Sequence, residues 1–398
     1  MKVLVLAPRL PHQNILSGHK IVRQRILRLA ARGHSVGLCC FTRPSDLPTP
    51  DPELIEALRE IECVPDPAFR KGAKARVGLY LRGVPPFHRP IERSVQRLVG
   101  DMTHRSRYDV VLAEYSEMGL FLRHNPYLPA VRTVISIHQC ATVASQKRID
   151  LLGFTPAGLW ERMRREWLRH MESRLYQAAD RLLVLTPQER YQLLTVNPSL
   201  PVSVVPSGVD TDVFQPMENA FRTGIVFTGY YTDEPNRDAV RWFCAQVWPR
   251  LVARFPHLMF FVVGPHPPPD LLEIQRRDPR IVVTDRVPDV RDYLLRAAVY
   301  VCPARMGSGM RGKILEAMAS GIPVVSTTAG MEGIPAQPGE SCLLADEAGV
   351  MARQIELLLL DPELRSRLAR HAHDLIVRRL SWTHSIDQLE TVLQRLRE

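Results

Sequence analysis

Short, continuous apolar runs alternate with longer amphipathic stretches along the whole of this 398-residue chain, and no other feature narrows its fold as much. A strand buried on both faces needs apolar residues at every position, and a parallel sheet covered by helices on both sides buries strands in that way. Residues 3–7, 35–41, 110–113, 131–137, 181–185 and 202–205 have this character. The stretch 19–32 carries apolar side chains at Ile21, Ile26, Leu27 and 29–31, the spacing of a helix laid on a sheet, and Gly33 closes it. The first strand, this helix and the second strand form one βαβ unit. The pattern restarts late in the chain, with strands predicted at 225–228, 259–263, 281–284, 299–302 and 323–326 and helices at 237–254 and from Lys313 onward. Two doubly wound, Rossmann-like α/β domains are therefore expected, at 1–205 and 223–375. The Pro-, Gly- and Asp-rich segment 206–222 reads as their connector, and 376–398 ends in a helix with an apolar stripe of Trp382, Ile386, Leu389, Val392, Leu393 and Leu396.

Composition bounds the setting. No apolar run reaches the roughly 18 residues that a membrane-spanning helix needs, and the opening MKVLVLAPRLP is too short for a signal sequence. Cysteines 39, 40, 63, 140, 244, 302 and 342 are odd in number and contain no CxxC, which suits thiols of a reducing cytoplasm. A cytoplasmic protein is expected. Its net charge of +10 is unevenly placed: residues 1–200 hold 30 Lys and Arg against 18 Asp and Glu, and residues 201–398 hold 22 against 24. Such a basic half suits nucleic acid, anionic lipid headgroups or a phosphorylated acceptor, and equally an idle solvated surface.

The densest chemical signal is CPARMGSGMRGKILEAMASGIPVVSTTAGMEGI, residues 302–334. A strand ends at Cys302, a loop with Gly307, Gly309 and Gly312 follows, and a helix begins near Lys313. Glycines let backbone approach a ligand, and the free N–H groups of a helix start attract phosphate. Arg305, Arg311 and Lys313 add positive charge around that loop. Glu316 is suited to accept two hydrogen bonds from a ribose diol, so the expected ligand is a nucleoside diphosphate.

These residues, with RVPDVRDYLLRAAVYVCPA before them, resemble the donor site of the retaining family 4 glycosyltransferases of the GT-B fold. Residues 14–34, the connector VVPSGVDTDVF at 204–214 and the closing helix with its SW pair also have counterparts there. The resemblance implies two Rossmann-like domains facing a cleft, with the nucleotide-sugar in the C-terminal domain, the acceptor in the N-terminal one, and the last helix crossing back. It implies donor contacts from Gly229, Gly307, Ser308, Gly309, Met310, Arg311 and Glu316. His138, in TVISIHQC, matches the family's N-terminal active-site histidine, and Arg9 and Gly18 would bring a loop to the acceptor and the diphosphate. Catalytic roles fall to His138, Arg305 and Lys313.

Three departures from the family pattern stand out. Its Glu-x7-Glu motif would put the first Glu at Ser308, so this chain follows a branch with a GSG loop and altered donor handling. The Arg and Lys that usually follow the first C-terminal strand are missing from GYYTDEPNRDA at 229–239, so Arg305, Arg311 and Lys313 would stabilise the leaving diphosphate. Ser207 replaces a common Asn.

Other motifs are set aside. Asp210-Thr211-Asp212 is a DxD in the connector and reads as an Asx turn, so no metal is expected. His371 and His373, two apart on a helix, diverge. No GxGxxG follows the first strand, which argues against a nicotinamide cofactor. The expected partners are a nucleotide-sugar donor, a glycan or lipid-linked acceptor in cell-surface polysaccharide synthesis, and an anionic membrane surface on the inner face; nucleic acid is not expected. That surface would be met by Arg70, Lys71, Lys74, Arg76, Arg82, Arg89, Arg93 and Arg97, and by 160–169, where Trp160, Met163 and Trp167 alternate with Arg162, Arg164, Arg165 and Arg169. A nucleotide-sugar epimerase and a non-catalytic binding scaffold remain alternatives on the same fold.

Overall fold

The computed structural model describes residues 1–12, 17–43, 51–66, 92–138, 140–216, 222–307 and 309–398. Ser308 and the basic stretch from Arg70 to Arg89 lie outside the described residues. The chain divides into two compact units, Met1–Val205 with Ile386–Glu398, and Pro206–Ser385.

The first unit is built on a seven-stranded sheet in the order β3-β2-β1-β4-β5-β6-β7. Its strands are β1 (Lys2–Ala7), β2 (Ser35–Thr42), β3 (Leu58–Pro65), β4 (Val110–Glu114), β5 (Arg132–Ile137), β6 (Arg181–Val184) and β7 (Val202–Val204), every neighbouring pair parallel. The two-residue period of β1 divides the core. Leu4 and Leu6 enter one cluster with Val99, Phe121 and Tyr176, while Val3, Val5 and Ala7 enter another with Val22, Ile26 and Leu29 of the helix Ser17–Ala31. Ile386, Leu389, Leu393 and Leu396 complete the second cluster. Arg32 bonds Asp387 at 2.7 Å and also Glu390, and His34 Nε2 meets the second Glu390 oxygen at 2.7 Å, so an ionic rim borders that apolar seam.

The second unit carries a six-stranded parallel sheet in the order β10-β9-β8-β11-β12-β13. Its strands are β8 (Gly224–Thr228), β9 (Phe260–Val263), β10 (Ile281–Val283), β11 (Ala297–Cys302), β12 (Val324–Ser326) and β13 (Leu343–Leu344). The 237–254 segment, expected as one helix, is interrupted: α-helix Glu234–Trp242 passes through a π-turn at Phe243–Val247 into Trp248–Val252. Pro249 explains the break, because proline has no N–H to give and its ring clashes with the carbonyl one turn back. The residues expected to return from 376 do so only from Ile386. Ile376 and Leu380 belong to the second unit's core, and Val209 exchanges backbone bonds with Leu380 and Trp382, 2.9 and 3.1 Å, which ties the stretch there. Among the described residues no helix is long and apolar enough to cross a membrane.

Candidate functional site

In each sheet the strand order reverses beside the first strand, between β1 and β4 and between β8 and β11. Loops leaving the carboxyl ends of strands at such a reversal diverge to opposite faces and leave a crevice. Arg9 follows β1, His138 follows β5 one strand from the first reversal, and the glycine loop follows β11 at the second.

In the second unit, β11 runs into a loop and then the helix Gly312–Ala319. Gly307 and Gly309 take φ of +100° and +86°, left-handed conformations that disfavour any side chain. The Arg311 guanidinium donates to the Met306 carbonyl at 2.9 Å and closes the loop on itself. Met310 is partly buried and packs against the core of the second unit. The Thr327 hydroxyl donates to the Ala304 carbonyl and accepts from Gly330 N–H at 2.9 Å, so STTAG at 326–330 braces the loop's start. Gly330 has no room for more: a Cβ there would lie 2.3 Å from Ser326 Oγ.

The three cations differ in environment. Arg305, half exposed, reaches across to the two oxygens of Asp238 at 3.1 and 2.5 Å and lies over the Trp242 ring. Lys313 reaches the same helix, Glu234–Trp242: Nζ stands 4.0 Å from the centroid of the Phe227 ring and donates to Asn236 Oδ1 at 2.6 Å. Burial pulls its ammonium down to about 8; Arg311 adds to the fall, and Cys302, Asp233 and Glu316 oppose it. Asn236 spans the crevice, since its Nδ2 donates to the Tyr230 carbonyl at 2.8 Å in the loop after β8. Gly229 begins that loop, bonded to Val263 at 2.9 Å, and Asn236 presses on it closely enough to exclude a side chain comfortably. Glu316 is half-buried one turn into the helix. The structure thus brings Gly229, Gly307, Gly309, Arg311 and Lys313 around the ends of β8 and β11. Sequence reasoning missed Asn236 and Asp238, because a count of bases passes over an amide and an acid that hold them.

In the first unit, His138 follows β5 directly. Its Nε2 lies 2.6 Å from Glu114 Oε2 at the end of β4. Arg25 Nη1, from the helix Ser17–Ala31, stands 3.0 Å from both Glu114 oxygens and 2.7 Å from Ser136 Oγ. All three side chains are buried. Burial alone would push the Glu114 carboxyl up, but Arg25 and the hydrogen bond from His138 hold it at about 2. Burial lowers His138 below its ordinary value against the pull of Glu114. Tyr115 stacks on the imidazole, centroids 4.1 Å apart and planes 9° off parallel. The helix Ala141–Leu152 that follows has its free N–H groups met by Glu172, at 2.8 Å from Ala141 N and 3.1 Å from Thr142 N. Arg9 is half-buried just past β1, and Gly18 lies in the first turn of the helix Ser17–Ala31. None of Arg25, Glu114 and Tyr115 is marked by a local motif.

Asp210 accepts from the backbone N–H of Asp212 and Val213, at 3.2 and 3.4 Å, in an Asx turn. Among the described residues no group of three or more His, Cys, Asp or Glu is gathered closely enough to hold a metal ion.

Two family models match this chain: Glycosyltransferase Family 4 over residues 20–213 and Glycosyl transferases group 1 over residues 222–361. A curated relative, YtcC of Bacillus subtilis (strain 168), a glycosyltransferase by attribution, is 27% identical over 128 residues; the match spans 31% of each chain. Solved structures of similar fold include sucrose-phosphate synthase from Thermosynechococcus elongatus, with a TM-score of 0.71 and 18% identity over 100% of this chain and 99% of that one. Anabaena HepE in complex with UDP and glucose gives 0.68 and 13% over 99% of both chains. WaaG, a glycosyltransferase involved in lipopolysaccharide biosynthesis, gives 0.66 and 14%, again over 99% of both. With glycosyltransferase models matching in both units and GT-B structures along its whole length, the chain belongs with the GT-B glycosyltransferases of the family 4 type.

Proposed function

We propose that this protein moves a sugar from a nucleoside-diphosphate-sugar to a glycan or lipid-linked glycan, with retention at the anomeric carbon and without a metal. The observation that carries the reading is the glycine loop between β11 and the helix Gly312–Ala319, with Arg311 and Lys313 at the helix start. Free helix N–H groups and two cations suit a diphosphate, and Glu316 suits the ribose. In the step itself the bond from the anomeric carbon to the phosphate oxygen breaks and the diphosphate keeps the electron pair. The acceptor hydroxyl bonds to the same face of that carbon and passes its proton to the departing oxygen. Stabilising charge on the leaving group is then the main task, assigned to Arg305, Arg311 and Lys313. His138, Arg9 and Gly18 are assigned to the sugar and acceptor side. The test is incubation with UDP-, GDP- and ADP-sugars and NMR of the products. Transfer or slow hydrolysis with the anomeric configuration kept supports the reading; an inverted product removes the retaining mechanism. Isomerised donor would mean an epimerase, and binding without turnover a scaffold.

An anionic bilayer is the surface proposed to bring the enzyme to a lipid-linked acceptor. Around the start of the helix Pro156–Tyr176, Phe154, Leu159, Trp160 and Met163 are exposed, with Arg162 over the Phe154 ring and Arg164 over the Trp160 ring. Exposed aromatics among arginines suit an interfacial helix. Trp167 is half-buried and Leu168 buried, so they belong to packing instead. Sedimentation with anionic but not zwitterionic vesicles, reversed by salt, is the expected result. Sedimentation unaltered when Arg162, Arg165 and Arg169 become Gln removes this helix from the contact.

A further inference from the structure

Glu114, Arg25 and His138 form a buried ionic array whose hydrogen bonds do not close. The Glu114 carboxylate accepts from Arg25 Nη1 through both oxygens and sits 2.6 Å from His138 Nε2. A carboxylate only accepts, so the proton between them belongs to Nε2. The groups facing the imidazole are Glu114 from β4, Arg25 from the helix Ser17–Ala31 and Tyr115 after β4. One buried carboxylate already balanced by one buried guanidinium leaves no charge to support an imidazolium, so the ring is neutral and Nδ1 is a bare lone pair. That Nδ1 is buried and has no hydrogen-bond partner among the described residues; Arg25 Nε and Nη2 share this condition.

The ring is also held in its plane. Tyr115 takes φ of +73°, a conformation that a bulky residue rarely adopts, and its N–H is anchored to the Ser136 carbonyl at 2.9 Å. Local strain is thus maintained where it lays one aromatic face on the imidazole, 4.1 Å away. A buried acceptor left without a donor is costly, and such groups in native proteins usually meet water or a ligand. A lone pair in a fixed direction, at the carboxyl end of a parallel sheet beside its topological switch, is matched by an O–H donor. Sugars present many.

We propose that Glu114, charge-balanced by Arg25, is a positioning residue that fixes His138 as its Nε2–H tautomer, so that Nδ1 accepts a hydrogen bond from a hydroxyl of the bound sugar substrate. This deepens the assignment of His138 to the sugar side and rests on it. Glu114 touches no substrate. It acts through the histidine, as the carboxylate orienting a catalytic or metal-bound histidine does elsewhere.

Two measurements on the full chain test it. In protein carrying 15N-histidine, long-range 1H–15N correlation identifies the His138 tautomer without any substrate. The neutral Nε2–H form is expected at neutral pH and above, and Glu114→Gln, whose amide can donate to Nε2, shifts it toward Nδ1–H. A charged or Nδ1–H His138 in the wild type overturns the assignment, as does a tautomer unchanged by the substitution. Should Glu114→Gln leave Arg25 uncompensated and the protein unfolded, the double variant Arg25→Gln/Glu114→Gln removes both charges together and is read in the same way. In transfer, Glu114→Gln lowers kcat/KM by about tenfold or more while nucleoside diphosphate affinity changes by less than about twofold, and Glu114→Asp recovers part of the loss. A transferring protein whose Glu114→Gln variant is unimpaired sinks this assignment alone. A wild-type protein that neither binds nor turns over any nucleotide-sugar sinks the functional reading, and this assignment with it.

Discussion

With the diphosphate seated as proposed, Lys313 makes nucleotide binding depend on pH in a definite direction and over a definite window. Its ammonium is buried beside Arg311, with its ordinary value of 10.5 lowered to about 8. A diphosphate placed on Nζ supplies the missing negative charge and raises that value again. Below pH 8 the lysine is charged in both free and bound protein, and affinity is insensitive to its proton. Above pH 8 the free protein loses the proton and binding must restore it, so Kd rises by up to about tenfold per pH unit until the value in the complex is reached. Between pH 7 and pH 9 the loss comes to about tenfold, or about 1.4 kcal/mol. The assay is calorimetric titration with whichever of UDP, GDP and ADP binds most tightly, in two buffers of different ionisation enthalpy. Uptake of about half a proton per ligand is expected at pH 8, where the free lysine is half charged. A flat Kd without proton uptake, or the same slope in Lys313→Met, refutes the reasoning. The same depression has a consequence for folding. Between about pH 8 and pH 10.5 the unfolded chain binds more protons at this site than the folded one, so stability without ligand rises with pH there. At pH 7 the full cost of the buried charge is present. Lys313→Met removes it, so the variant is expected to be the more stable at pH 7, by a margin that shrinks as pH rises from about 8 to 10.5.

Glu316→Ala weakens nucleoside diphosphate binding by about 1–3 kcal/mol, the loss of hydrogen bonds to a charged group, and an unchanged Kd rejects the ribose assignment. Transfer persists in saturating chelator; complete loss that magnesium or manganese restores returns Asp210 and Asp212 to consideration. Gly264→Ala lowers stability by about 2 kcal/mol or more in urea unfolding, since its φ is +145° and a Cβ would lie 1.8 Å from the Gly229 carbonyl oxygen. A midpoint equal to the wild type would mean that the two loops are free to part.

Strands were legible where burial is two-sided. Every residue of β4, β8 and β11 is buried, so each reads as an apolar run, broken only by the polar residues Glu114 and Thr228 that end β4 and β8. β3 did not show, because as the edge strand it exposes one face and carries Arg59, Glu60 and Glu62 among its apolar residues. The glycine loop after β11 was legible because its glycines, cations and Glu316 fall within the twelve residues 305–316. The array around His138 was not, since its members come from positions 25, 114 and 138 on three elements that only the sheet order brings together. A pairing between distant positions leaves no periodicity behind.

The ionic rim and apolar seam that Ile386–Glu398 adds to the first unit bear on how the protein acquires its structure. Residues 206–385 form a continuous unit, inserted between the two pieces of the other. During synthesis, β1 to β7 emerge first, yet the cluster around Val22, Ile26 and Leu29 stays uncovered until Leu389 and Leu393 exist. The unit made second can therefore finish first, and the one made first waits, with an apolar face open, for the last residues of the described chain. A chain halted at residue 385 should fold its second unit, remain incomplete in the first, and recruit chaperones or aggregate through that open face.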